Sequence, residues 1–123
     1  MKKILIVEDD IKLRQIYDTM LTSEGYEVEQ VSTGQEGLTK AKSYIPDLII
    51  LDIMLPGGMN GFDLLEQLKR NPATQTIPVI VLTNLDNAKS TALSIGAVEY
   101  IVKTNTSIDD VVKKIREYLG EVH

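Results

Sequence analysis

Three short stretches of unbroken apolar residues punctuate the chain, at residues 4–7 (ILIV), 48–51 (LIIL) and 79–82 (VIVL). Runs of this length and character predict strands buried on both faces, which belong to a parallel sheet covered by helices. Between them the period changes to that of helices. Leu13, Ile16, Tyr17, Met20 and Leu21 share one helical face, with Gly25 placed to end it. Glu27 to Val31 predicts a short second strand. Leu38 and Ala41 mark a weaker second helix, stopped ahead of Pro46, whose ring disfavours helix in the residue before it. Gly61 opens a third helix with Phe62, Leu65 and Leu68 inward, and Asn71 and Pro72 close it. Pro78 leads into the fourth strand, a fourth helix ends near Gly96, and Ala97 to Lys103 predicts the fifth strand. The clearest amphipathic face of the chain is Ile108, Val111, Val112, Ile115, Tyr118 and Leu119, with Ser107 and Asp110 spaced to cap that helix.

Five strands alternating with five helices, joined by right-handed crossovers, predict one doubly wound α/β domain over residues 1–123. A chain of 123 residues can bury a core of its own without disulfides or a structural metal. Cysteine is absent, which removes thiolate chemistry and Cys-ligated zinc together. Thirteen basic against eighteen acidic residues give a formal charge of −5, the wrong sign for a chain that binds nucleic acid directly. No apolar run is long enough to span a membrane or to serve as a signal peptide, so a cytoplasmic location is expected.

In an open parallel sheet the site lies past the carboxyl ends of the strands. The residues there are polar: Glu8, Asp9 and Asp10 after the first strand, Asp52 after the third, Thr83 and Asn84 after the fourth, Lys103 and Thr104 after the fifth. Each has an ordinary structural reading when taken alone, and Asp10 suits a helix N-cap. Their coincidence on one rim is what points to chemistry. Two carboxylates about 4 Å apart repel by roughly 4 kcal/mol at an effective dielectric near 20, so three converging acids call for a cation. Oxygen ligands without His or Cys suit Mg²⁺, with Mn²⁺ as a substitute. A carboxylate beside such a cation, with a lysine and a threonine opposite, can attack phosphorus. Without the cation, mutual repulsion of Glu8, Asp9 and Asp52 is expected to destabilise the fold.

KILIVEDD, LIILDIMLPG, VIVLT and YIVK, in this order and spacing, resemble the receiver domain of two-component response regulators over essentially the whole chain. The resemblance implies a flavodoxin-like sheet of order 2-1-3-4-5. It implies that Asp52 is the phosphoacceptor and that Glu8 and Asp9 are the acidic pair, Asp9 binding Mg²⁺ directly and Glu8 through water. The backbone carbonyl of Met54 matches the remaining protein ligand, alongside the Asp52 carboxylate. Lys103 resembles the phosphate-pairing lysine, Thr83 the switch hydroxyl, and Tyr100 the aromatic that moves inward when Thr83 moves. The implied partners are a sensor histidine kinase or phosphotransfer protein upstream, and a downstream protein target on the fourth helix, fifth strand and fifth helix. A monomer or weak dimer is expected, either standing alone or cut from a longer regulator. Such a domain is a phosphoacceptor that assists its own phosphorylation and dephosphorylation.

Three positions depart from the family pattern. Thr104 replaces the usual proline after Lys103, which removes most of the rationale for a cis peptide there. Asn84 replaces a small residue beside the switch threonine. The LPGGMNG segment is one residue longer than the usual turn, and Gly57, Gly58 and Gly61 suggest a mobile loop near Asp52. Asn84 and Thr104 leave a second reading open, a receiver-like interaction module that works without phosphorylation. A nucleotide or flavin module would need a Gly- or Ser/Thr-rich turn where three acids stand. An aspartyl phosphohydrolase would usually carry a second acid where Met54 lies. His123, at the end of the chain, is read as a tail residue rather than a phosphorelay histidine.

Overall fold

The computed structural model describes residues 1–120. Elements alternate as β1 (Lys3–Val7), α1 (Ile11–Ser23), β2 (Glu27–Val31), α2 (Gly34–Tyr44), β3 (Leu48–Leu51), α3 (Gly61–Arg70), β4 (Val79–Thr83), α4 (Lys89–Ile95), β5 (Glu99–Val102) and α5 (Ile108–Leu119). The strands form one sheet in the order β2-β1-β3-β4-β5, with every pairing parallel. This is the doubly wound architecture that the sequence predicts. Residues 121–123, His123 among them, lie outside the described part.

The unbroken apolar runs hide an alternation of period two that feeds two cores. Leu5 and Val7, Ile49 and Leu51, Val79 and Val81 face α2, α3 and α4, where Ala41, Leu64, Leu65, Leu68 and Ala92 meet them. Ile4 and Ile6, Leu48 and Ile50, Ile80 and Leu82 face the other way, onto Tyr17 and Leu21 of α1 and Val111, Val112 and Ile115 of α5. Both sheet faces are therefore covered, which is why no polar residue interrupts these strands. β2 lies at an edge, and its residues are half-buried or exposed throughout.

Local signals set the boundaries. Asp10 caps α1 by accepting from the Lys12 and Leu13 amides, and Gly25 (φ 98°) takes the left-handed turn just after that helix. Asn60 and Asp63 form a capping box on α3, and the Ser107 hydroxyl accepts from the Asp110 amide at the start of α5. Ile45 ends α2 in the left-handed region (φ 47°), an uncommon conformation for a β-branched residue.

Some predicted positions differ. Ile16 and Tyr118 are 43% and 40% exposed and stand at the borders of their apolar faces rather than in the core. The fifth strand, Glu99–Val102, is shorter at both ends than the predicted Ala97 to Lys103, and at its C-terminal end a 3₁₀ turn over Lys103–Asn105 takes over where the strand meets the site. There is no cis peptide among the described residues, in keeping with Thr104 in place of proline.

Candidate functional site

Register creates the site. Val7 pairs with Leu51 across β1 and β3, so the residues that follow them, Glu8 and Asp52, leave the sheet side by side. The Asp52 amide donates to the Val7 carbonyl at 3.0 Å, and the Glu8 amide donates to Val31 at 3.1 Å, extending the ladders into the loops. Thr83 pairs with Val102, which places Lys103 on the same rim one residue past β5.

Carboxylate oxygens of Glu8, Asp9 and Asp52 all lie within 4.8 Å of one another. Glu8 and Asp52 are buried at 5% and 4% exposure, whereas Asp9 is exposed at the mouth. Lys103 reaches between the two buried acids. Its ammonium donates to Asp52 Oδ2 at 2.9 Å and to Glu8 Oε1. The second oxygen of each acid is also held: the Met54 amide donates to Asp52 Oδ1 at 3.0 Å and the Asp10 amide to Glu8 Oε2 at 3.1 Å. Burial pushes the Glu8 carboxyl up to about 7, against the hydrogen bonds from Lys103 and Asp10, and the nearby Asp52 charge adds to the rise. Burial disfavours the Lys103 charge, but its bonds to Glu8 and Asp52 outweigh this and leave its pKa above the usual lysine value.

Three carboxylates thus face one ammonium, and an excess of negative charge remains at the mouth. The donor set is made of hard oxygens on a rim open to water at Asp9. That combination fits a Mg²⁺-like cation, which takes a few protein oxygens and keeps several waters. Lys103 supplies part of the positive charge that the clustered acids call for.

Thr83 is fully buried, and its Oγ1 accepts from the Leu85 amide at 3.3 Å. Tyr100 is packed inward at 9% exposure, with its hydroxyl donating to the Leu85 carbonyl. Met54 is brought to Asp52 by its amide, while the residue as a whole is 51% exposed. Asn84 and Thr104 are exposed at the rim, and Asp10 serves as the helix cap.

The chain matches the family described as response regulator receiver domain over residues 4–116, nearly its whole length. It is a receiver domain. Response regulator ArlR of Staphylococcus aureus is 39% identical over 121 residues, which cover 97% of this chain and 53% of that protein. The chain spans about half the length of the curated relatives it matches. A CheY-like receiver domain from Methanospirillum hungatei superposes with a TM-score of 0.88 at 35% identity, covering 97% of this chain and 94% of that one. The BeF3-activated N-terminal receiver domain of Klebsiella pneumoniae RstA gives 0.86 at 30% identity, covering 98% and 100%.

Two participants escaped the sequence reading. Arg14 donates from Nη1 to the Glu8 carbonyl at 2.8 Å, and its one signal is a charge set beside Leu13 and Tyr17 on a half-buried stretch of α1. Leu85 acts through its backbone, so no side-chain pattern announces it. The Gly61 assignment also changes. Its amide donates to the Ile53 carbonyl at 2.8 Å and it is buried at the start of α3, so it serves close packing, while exposed Gly57 and Gly58 remain in the open part of the loop.

Proposed function

We propose that this receiver domain accepts a phosphoryl group on Asp52 from the phosphohistidine of a sensor histidine kinase or phosphotransfer protein. An Asp52 carboxylate oxygen attacks phosphorus as the P–N bond breaks, and the imidazole nitrogen leaves with the electron pair. The observation that carries this reading is the Lys103 ammonium held against buried Asp52, with Glu8 and exposed Asp9 beside them. Lys103 can follow charge from the carboxylate to the phosphoryl oxygens, and the Met54 amide fixes the acceptor's orientation. Glu8, Asp9, Asp52 and the Met54 carbonyl would hold Mg²⁺, or Mn²⁺ in its place, which when bound neutralises phosphoryl oxygens. The Thr83 hydroxyl is available to turn toward the phosphoryl group by giving up a long bond to Leu85, with Tyr100 following its position. The same groups would assist loss of the phosphate.

The domain would act over residues 1–123 as one unit, in the cytoplasm, as a monomer or weak dimer. No helix among the described residues is long and apolar enough to cross a membrane. A downstream protein would read the face built from α4, β5 and α5, where Leu93, Val98 and Tyr118 are exposed. Tyr118 ties that face together, donating to Glu99 Oε2 at 2.7 Å and lying 3.1 Å from the Val98 carbonyl oxygen. Intact-mass spectrometry after treatment with acetyl phosphate and Mg²⁺ tests the assignment. One added phosphoryl group is expected, absent from Asp52→Asn; labelling that persists in that variant would overturn it.

A further inference from the structure

Glu8 and Asp9 sit on the loop between β1 and α1, and a side chain outside the acidic cluster braces that loop. Arg14, half-buried one turn into α1, donates from Nη1 to the Glu8 carbonyl at 2.8 Å and from Nε to Gln30 Oε1 at 3.1 Å. Gln30, on β2, donates in turn to Asp18, whose other carboxylate oxygen accepts from the Thr22 hydroxyl at 2.9 Å. The guanidinium fork therefore ties the loop backbone to a chain of side chains running between α1 and the edge strand.

What this brace controls follows from how the two acids are held. The Glu8 carboxylate is fixed by Lys103 and the Asp10 amide. The Asp9 carboxylate is exposed and has no hydrogen bond or ion pair among the described residues, so the protein's hold on it is the backbone that places its Cβ. The carbonyl that Arg14 grips belongs to the planar peptide joining Glu8 to Asp9, so holding it restricts where the Asp9 Cα and Cβ can lie.

Resting on the reading of Glu8, Asp9 and Asp52 as a divalent-cation site, we propose that Arg14 is its positioning residue. Through the Glu8 carbonyl it holds Asp9 ready for the cation, and Gln30 holds Arg14. Charge alone predicts the opposite effect, since a nearby guanidinium repels a cation and its removal would tighten binding. A merely structural Arg14 would alter stability and leave cation affinity where it was. The three roles thus differ in the sign of one measurable change.

Calorimetric titration of the full chain with MgCl₂ separates them, using wild type, Arg14→Lys, Arg14→Gln, Gln30→Ala and the Arg14→Gln/Gln30→Ala pair. Arg14→Lys keeps the charge and loses the fork. Both Arg14 variants are expected to bind Mg²⁺ about tenfold more weakly, the usual scale for losing a group that orients a metal ligand. Gln30→Ala should weaken it less, and the pair should be no weaker than Arg14→Gln alone, because both act through one brace. The loss should also fall on the half-saturating Mg²⁺ concentration for acetyl phosphate labelling more than on the saturated rate. Wild-type affinity in all variants, or tighter binding by Arg14→Gln, would overturn the role of Arg14 and leave the cation site standing. A wild type that takes up no Mg²⁺ would overturn the cation site and this inference with it.

Discussion

Gly61 lies so close to Asp52 that a Cβ built on it would sit 2.4 Å from the Asp52 carbonyl oxygen and 2.5 Å from the Ile53 Cα. Both obstacles are backbone and cannot swing aside. The start of α3 is thereby pressed against the peptide that carries the acceptor.

Gly61→Ala should therefore shift the Asp52 backbone, costing about 1–3 kcal/mol in urea denaturation as overpacking does, and slowing acetyl phosphate labelling. Gly58, whose added Cβ meets nothing within 4 Å, is the control. Gly58→Ala should stay within about 0.5 kcal/mol of wild type. Equal losses in the two would refute the distinction.

The glycines show where the sequence stopped being legible. Gly57, Gly58 and Gly61 look alike in a string of letters, and only the crossing of α3 over the end of β3 separates tight packing from an open loop. The architecture was readable because both sheet faces are covered, so runs such as ILIV and LIIL had no alternative home. The site was readable for a related reason: parallel strands end on one rim, so Glu8, Asp9, Asp52, Thr83 and Lys103 could be placed together from strand ends alone. What the strands could not reveal were contacts made through backbone atoms. The Arg14 grip on the Glu8 carbonyl and both bonds to Leu85 fall in that class.

Glu8 makes stability depend on pH in the metal-free protein. Its carboxyl is raised from 4.5 to about 7 in the fold, so between those values the native state holds a proton that the unfolded chain has released. Stability from this group is present below about 4.5 and is lost as pH rises toward about 7, at no more than about 1.4 kcal/mol per pH unit. Lys103, with its pKa raised above 10.5, contributes in a separate window: its stabilisation holds at neutral pH and fades only as pH rises through that higher value. Urea melts in EDTA at pH 5 and pH 8 should show wild type losing more stability across this interval than Glu8→Gln. A parallel loss in both would remove Glu8 as the cause.

Charge repulsion alone would have either Asp9→Asn or Asp52→Asn stabilise the metal-free protein. The geometry separates them. Asp52 is buried against Lys103 at 2.9 Å, so neutralising it strips a partner from a half-buried ammonium. Asp9 is exposed and unpaired among the described residues, so its removal relieves repulsion at little cost. In EDTA, Asp9→Asn should gain up to about 1 kcal/mol, the range of screened exposed charges, while Asp52→Asn should lose stability. Wild type should then gain about 2.7 kcal/mol when Mg²⁺ reaches a hundredfold excess over its Kd, and Asp9→Asn much less. Differential scanning fluorimetry with EDTA and with MgCl₂ checks both signs, and an identical Mg²⁺ response in wild type and Asp9→Asn would remove Asp9 from the site.

Thr83 and Tyr100 are joined through the backbone of a single residue, Leu85. The Leu85 amide donates to Thr83 Oγ1 at 3.3 Å, and the Leu85 carbonyl accepts from the Tyr100 hydroxyl. If phosphorylation draws the Thr83 hydroxyl away, one anchor of Leu85 is released and the hold on Tyr100 changes with it, which is how a buried site could reach the face made by α4, β5 and α5. Thr83→Val keeps the shape and removes the acceptor, and Tyr100→Phe keeps the ring and removes the donor. Each should cost about 1 kcal/mol, the typical net value of one hydrogen bond. Their combination should depart from additivity by at least about 0.5 kcal/mol, because both act on Leu85. In ¹H–¹⁵N spectra, beryllofluoride should move the Tyr100 amide in wild type and leave it nearly unmoved in Thr83→Val. Additive energies together with an unchanged beryllofluoride response in Thr83→Val would show that Leu85 does not connect the two.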